Sequence, residues 1–179
     1  PVLSNPGTRP GALSQVVFLA DRIQFREELG AMTVDEFGVR VRQIAQDAGI
    51  ERQLTAYAGQ QVTIRTLVNP RKFSSSLNYM RDGLLGFGDM VEVFEQAPQI
   101  MGLRMVFPPS EEGGTANALR IENYVQDPKT LYLENQGSYG PIQLSDDMSK
   151  VEQNVTEAYS FLVDKATSFV GAFDLKLDE

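Results

Sequence analysis

The chain contains no cysteine, no histidine and no tryptophan among its 179 residues. Without cysteine it can form no disulfide, and it has no thiolate to act as a nucleophile or a metal ligand. Without histidine it lacks the side chain that most often transfers protons near neutral pH and most often binds metals. Serine–histidine and cysteine–histidine catalysis are therefore excluded, and any reaction would depend on carboxylates, lysine, arginine or tyrosine.

The chain also lacks the motifs that indicate a nucleotide-binding site, a metal site or a serine–lysine nucleophile. The glycine-rich stretch 83–88 does not have the G-x-G-x-x-G order of a dinucleotide fingerprint. No Asp-x-Asp-x-Asp-Gly calcium loop occurs, and no serine is followed by lysine three residues later. We therefore expect no cofactor and no metal, we assign no catalytic residue, and we favour a protein that is not an enzyme.

No apolar run approaches the roughly 18 residues that a membrane span requires. The first residues, Pro1 to Gly7, have neither a basic start nor an apolar stretch of the signal-peptide type. The sequence thus predicts a cytoplasmic protein without a membrane partner.

Charge is divided unevenly along the chain, whose total is −8. Residues 1–90 hold 10 Lys and Arg against 9 Asp and Glu, whereas residues 91–179 hold 6 against 15. An acidic second half argues against nucleic acid, because binding to phosphates requires a basic surface. It indicates either a solubilising surface or an acidic face for a basic protein partner.

The hydrophobic pattern predicts an α+β fold with one domain over residues 15–179, preceded by an irregular arm rich in proline and glycine over residues 1–14. A capping box at Thr33 and Glu36 predicts a helix that ends near Gly49. Alternation predicts a strand up to Val68 and a three-stranded antiparallel meander over residues 101–134. A long amphipathic stripe predicts a C-terminal helix from Ser145 onward.

Runs of strands without regular strand–helix alternation favour two layers over a doubly wound sheet. We expect an antiparallel sheet of about five to seven strands, with the C-terminal helix and two shorter helices packed on one face. Large apolar residues are predicted on the inner face of the sheet; they are Val62, Ile64, Leu103, Met105, Leu119, Ile121 and Leu133.

Charged residues at the alternate positions of these strands should share the other face of the sheet. They are Arg65, Arg104, Arg120, Glu122 and Glu134. If they converge, they could bind a carboxylate or phosphate, with a glutamate as general base. The alternative is a set of cross-strand ion pairs on a solvated surface.

Two further segments could bind ligands. Arg71, Lys72 and Ser74 lie just before a predicted helix N-terminus and could bind an anion, or they could simply cap the helix. The polar segment 134–141 contains two glycines and Tyr139 and is predicted as a loop, either for binding or as a connector.

Two classes of function remain. The first is a non-enzymatic interaction or scaffold module that binds a protein partner or associates with itself, including as a homodimer through uncovered sheet edges. The alternative is a small-ligand-binding domain with a pocket between the sheet and the C-terminal helix. The large side chains predicted on the inner face favour the first, because a pocket requires missing volume.

Overall fold

The computed structural model of the chain describes residues 1–6, 9–110, 114–144 and 148–175. It confirms the α+β class, the antiparallel strands and the long C-terminal helix. The strands are β1 (Val2–Pro6), β2 (Leu13–Phe18), β3 (Ile23–Glu28), β4 (Ala56–Tyr57), β5 (Gln60–Val68), β6 (Gly102–Phe107), β7 (Ala116–Asn123), β8 (Leu131–Tyr139) and β9 (Ile142–Gln143).

The helical segments include two continuous runs that contain a π-helical turn. They are α1 (Val34–Glu51), α2 (Ser76–Asn78) continued by a π-helix (Tyr79–Leu84), a 3₁₀ helix (Gly88–Phe94), and α3 (Ser149–Ser160) continued by a second π-helix (Phe161–Ala166) and α4 (Thr167–Leu175). The predicted start of the C-terminal helix at residues 145–147 lies outside the described residues.

The strands form three sheets rather than the single sheet of five to seven strands that the sequence predicts. Their orders are β1-β2-β3, β4-β9 and β5-β8-β7-β6. The chain divides accordingly into two compact units, residues 1–60 with 141–156 and residues 61–140 with 157–179. The difference arises because β1, β2 and β3 pair with one another through successive hairpins. That the whole of 15–179 behaves as one domain stays a prediction.

The first unit contains the three-stranded sheet, the β4-β9 pair, α1 and the beginning of α3. Residues 1–14, predicted as an irregular arm, hold all of β1 and the start of β2, with Leu3 opposite Val16. The prediction of an irregular arm was wrong. It rested on the proline and glycine content of the segment, which does not reveal cross-strand pairing. The core of this unit is built from Val41, Ala45, Ile142, Met148 and Val151.

Helix α1 begins where the sequence predicts. The Thr33 hydroxyl accepts a hydrogen bond from the Glu36 backbone N–H at 3.2 Å, and the Glu36 carboxylate accepts one from the Thr33 N–H at 2.8 Å. Two of the N–H groups that no helical carbonyl can reach are thus satisfied.

The second unit contains the four-stranded sheet. Strand β7 pairs antiparallel with β6 on one side and with β8 on the other, which confirms the predicted meander. Pro108 and Pro109 end β6, and Pro70 follows the end of β5, since proline cannot donate to a strand ladder.

One face of this sheet is covered by helices, and six of the seven predicted inner residues lie in its core or pack against it. The seventh, Val62, is buried outside this cluster. Leu133, Ile121 and Leu162 are completely buried. The hydroxyl of buried Tyr79 donates to the Val170 carbonyl at 2.7 Å, which connects the first π-helix to α4. Burial of this apolar set is the principal stabilisation of the unit.

The polar segment 134–141 is not a loop, because β8 continues to Tyr139. Every second residue of β8 is buried, including Asn135. Its side-chain amide donates to Asn117 Oδ1 at 3.0 Å and to the Ala158 carbonyl at 3.1 Å. These bonds satisfy the side-chain NH2 group of a buried residue that the composition suggests is exposed.

The capping box predicts a measurable loss of stability. We expect Thr33→Ala to lower the free energy of unfolding by about 1 kcal/mol, because the Glu36 N–H loses its acceptor at the helix start. Thr33→Ser keeps the hydroxyl and should remain close to wild type. Urea unfolding of the three proteins tests this, and equal loss in both variants would contradict the capping role.

Candidate functional site

The polar face is the side of the four-stranded sheet opposite the helices. It carries the charged residues at the alternate strand positions, together with one tyrosine. They are Arg65 on β5, Arg104 on β6, Arg120 and Glu122 on β7, and Tyr132 and Glu134 on β8. The strand register places Arg120 between Arg104 and Glu134 in one row across the sheet. The structure therefore brings together all five charged residues that alternation predicts.

Hydrogen-bonded ion pairs hold most of these groups in place. Arg120 binds Glu122 through two bonds, Nε to Oε2 at 2.8 Å and Nη2 to Oε1 at 2.6 Å. Glu134 Oε2 accepts from Arg65 Nε at 2.7 Å and from the Tyr132 hydroxyl at 2.7 Å. The Arg120 guanidinium also lies 5.5 Å from the centre of the Tyr132 ring. Such mutually bonded groups form a preorganised surface.

The electrostatics of the polar face fix its protonation states. Burial would raise the pKa of Glu134, but the hydrogen bonds from Tyr132 and Arg65 and the charge of Arg120 outweigh it and lower that pKa. Burial and the bond to Glu134 raise the pKa of Tyr132 to about 12. The bonds to Glu122 raise the pKa of Arg120. Glu134 is thus ionised and Tyr132 protonated throughout the neutral range.

Arg104 differs from the other arginines of the polar face. It lies directly opposite Arg120, and within the described residues it forms no ion pair. Like charges directly opposite on neighbouring strands repel each other. Both arginines line an open depression of about 400 Å³, together with Gly102, Glu122 and Gln136. Although Glu122 and Glu134 both line the depression, Arg104 is the cation there that pairs with no carboxylate of the described residues.

Tyr139 lies on the opposite side of the sheet from the polar face. It belongs to the buried set of β8, and its ring covers Gly137, where a Cβ would sit 2.9 Å from the tyrosine hydroxyl. Burial, followed by the charge of Glu157, raises the pKa of Tyr139. The proximity of Tyr139 to polar residues in sequence did not predict this, because side chains alternate between faces.

The predicted anion-binding segment holds a carboxylate of the chain itself. The backbone N–H groups of Arg71 and Lys72 donate to the two carboxylate oxygens of Asp174, at 2.9 and 3.0 Å. The Ser74 hydroxyl accepts from the Asn78 side chain at 2.8 Å. Ser75, and not Ser74, caps α2. The segment thus anchors the end of α4.

Tyr132 is the residue of the polar face that sequence reasoning missed. Its position between Leu131 and Leu133 in an alternating strand was a sufficient signal to place it beside Glu134.

A second open depression, of about 580 Å³, lies in the first unit. It is lined by the β1–β2 hairpin, the end of β3 and the start of α1, and its polar residues include Glu27, Glu36 and Arg40. Oε2 of Glu27 is buried there and makes no hydrogen bond with the described residues. No sequence pattern singles out this depression, because its lining comes from four separate segments.

Among the described residues, no cluster of three or more acidic residues could hold a metal ion. None of the helices in that part of the chain combines the length and the apolar composition required to cross a membrane. Comparisons with protein families, with characterised proteins and with solved structures found no match to this chain.

The lowered pKa of Glu134 predicts a pH-dependent stability. Its carboxylate stabilises the folded state above the ordinary value of 4.5, and this contribution is lost as the pH falls through the lowered pKa. Glu134→Gln should therefore make the free energy of unfolding less dependent on pH between about pH 5 and pH 2. Urea unfolding across this range measures the slope. The exposed Glu51→Gln serves as the control, and identical slopes for Glu134→Gln and wild type would contradict the prediction.

The contact between Asp174 and the 71–72 backbone predicts local protection from solvent. We expect Asp174→Ala to speed hydrogen exchange of the Arg71 and Lys72 amides about tenfold, because each loses a charged acceptor worth roughly 1.4 kcal/mol. Asp164→Ala, at an exposed position of the π-helix that precedes α4, should leave both rates unchanged. Hydrogen exchange measured by NMR tests this prediction. Unaltered rates in Asp174→Ala would show that the contact does not protect the segment.

Proposed function

We propose that this chain is a non-enzymatic interaction module that binds a protein partner, or a second copy of itself, through the polar face. The proposal rests on the environment of Arg104. This cation faces Arg120 and lacks an ion pair among the described residues. An incoming carboxylate would relieve the repulsion between the two guanidinium groups. The surrounding ion pairs keep the surface in one arrangement, which reduces the entropy lost on binding.

The protonation states favour binding over catalysis. A general acid or base works best when its pKa lies near the working pH. The pKa of Glu134 is lowered and that of Tyr132 is raised to about 12. Neither group exchanges its proton readily at neutral pH, so the face supplies charge and hydrogen bonds instead of proton transfer.

The alternative, a ligand pocket between the sheet and the C-terminal helix, has less support. Ile121, Leu133 and Leu162 fill the space between the four-stranded sheet and the second π-helix, and all three are completely buried. A ligand would have to displace well-packed side chains there.

The sheet edge offers a route to self-association. Strand β6 is the last strand of the four-stranded sheet, and Val106 on it is 64% exposed. An unpaired edge offers N–H and C=O groups to a second strand. Arg104 lies on this same strand, so a second copy would meet both the edge and the polar face.

Arg104→Glu tests the proposal directly. We expect the full chain, used as bait in an extract of its native cells, to retain a stoichiometric protein that Arg104→Glu retains at least tenfold less. Arg22→Glu makes the same charge reversal at an exposed residue of the first unit and should retain the partner fully. In parallel, light scattering at several concentrations identifies a second copy as the partner if the dimer is lost only in Arg104→Glu.

Two results would contradict the proposal. Equal retention by wild type and Arg104→Glu would remove the polar face as the binding surface. A monomer that retains a small molecule and no protein would support the ligand-binding alternative instead.

A further inference from the structure

The 3₁₀ helix Gly88–Phe94 has an uncommon length. Seven residues take this conformation, whereas runs beyond three or four are infrequent because the hydrogen bonds are less favourable. A 3₁₀ helix has three residues per turn, so side chains three positions apart lie directly above one another. Any pattern with a period of three therefore becomes a straight ridge along this helix.

The sequence has such a pattern on two ridges. The apolar ridge is Phe87, Met90 and Val93, whose residues are 43%, 68% and 77% exposed. The acidic ridge is Asp89 and Glu92, and Glu95 follows at the C-cap. The third side of the helix carries Val91, which packs against the core of the second unit, and Phe94, which is 70% exposed at the end of the helix. One turn thus presents apolar and acidic side chains side by side.

The charge around these ridges is one-sided. Between Lys72 and Arg104 the sequence contains a single cation, Arg81. Its guanidinium is held by the Asp82 carboxylate, at 2.6 Å from Nε and 2.7 Å from Nη2. Asp89 and Glu92 also help to raise the pKa of Arg81, after the bond to Asp82. The acidic ridge therefore keeps an excess of negative charge.

We infer that the apolar ridge and the acidic ridge together form a docking surface for a basic amphipathic α-helix of a protein partner. This inference rests on the proposed interaction function and names the partner's chemistry at a surface distinct from the polar face. Residues in one ridge repeat every three positions, about 6 Å along the axis. Side chains four apart on an α-helix repeat at about 6 Å too. A row of leucines on such a helix can follow the apolar ridge while a neighbouring row of lysines follows the acidic one.

Two other occupants fit less well. A second copy carries the same net charge of −8, which opposes its approach to an acidic ridge. Six of its 16 Lys and Arg residues are also engaged in ion pairs of their own, namely Arg22, Arg26, Arg42, Arg65, Arg81 and Arg120. An anionic lipid surface would be repelled by the acidic ridge. A basic amphipathic segment of a protein would bury the exposed apolar ridge and would also be attracted by the acidic ridge.

The test uses the full chain and a labelled synthetic helix of leucine and lysine, about 18 residues long, with leucine along one face. Fluorescence anisotropy measures its Kd, and a peptide with glutamate in place of lysine is the comparison. We expect saturable binding of the lysine peptide only, with affinity that falls as salt is added.

Variants locate the surface. Met90→Ser with Val93→Ser should weaken binding at least tenfold, and Asp89→Asn with Glu92→Gln at least fivefold with most of the salt dependence lost. Ile50→Ser and Glu51→Gln make matched changes at exposed positions of α1 and should keep the wild-type Kd. Because the mutated ridge side chains are exposed, circular dichroism should show unchanged folding.

The inference is wrong if the lysine peptide does not bind, if the glutamate peptide binds equally well, or if the ridge variants keep the wild-type Kd. Arg104→Glu should leave the peptide affinity unchanged. A captured partner that depends on Arg104, without peptide binding, would contradict this inference alone. Peptide binding that depends on the ridges, without any captured partner, would contradict the polar face alone.

Discussion

The pairing of β7 with β8 determines both the core and the polar face of the second unit. In this register Ile121 lies opposite Leu133, and Arg120 opposite Glu134. Because strand side chains alternate, a slip of one residue would turn the apolar pair outward and bury the charged pair. Burying unpaired charge is far more costly than burying leucine. The same pairing therefore stabilises the fold and assembles the candidate site.

Hydrogen bonds of buried polar groups in the second unit favour one packing of the helices on the sheet. Asn135 uses its amide to join β8 to Asn117 of β7 and to the helix carbonyl of Ala158. Tyr79 joins the first π-helix to Val170 in the same way. A buried donor without an acceptor would cost the unit stability, so these bonds favour one packing of helix on sheet.

The second unit presents two surfaces of opposite chemistry. The polar face presents a guanidinium, Arg104, without an ion pair among the described residues, whereas the 3₁₀ helix presents apolar and acidic ridges. Such surfaces would recognise different parts of a partner, and electrostatic complementarity at each would increase specificity more than affinity.

The sequence by itself determined the features that depend on neighbours along the chain: the capping box at Thr33, the strand alternation that gathers Arg65 and Glu134 on one face, and the C-terminal amphipathic helix. The tertiary structure alone decided features that depend on distant partners. Strand β1 exists because β2 pairs with it, and the Asp174 carboxylate binds the backbone N–H groups of Arg71 and Lys72 because α4 ends there. Local caps and periodicity act over a few residues, whereas pairing and long-range hydrogen bonds require the folded chain to bring partners together.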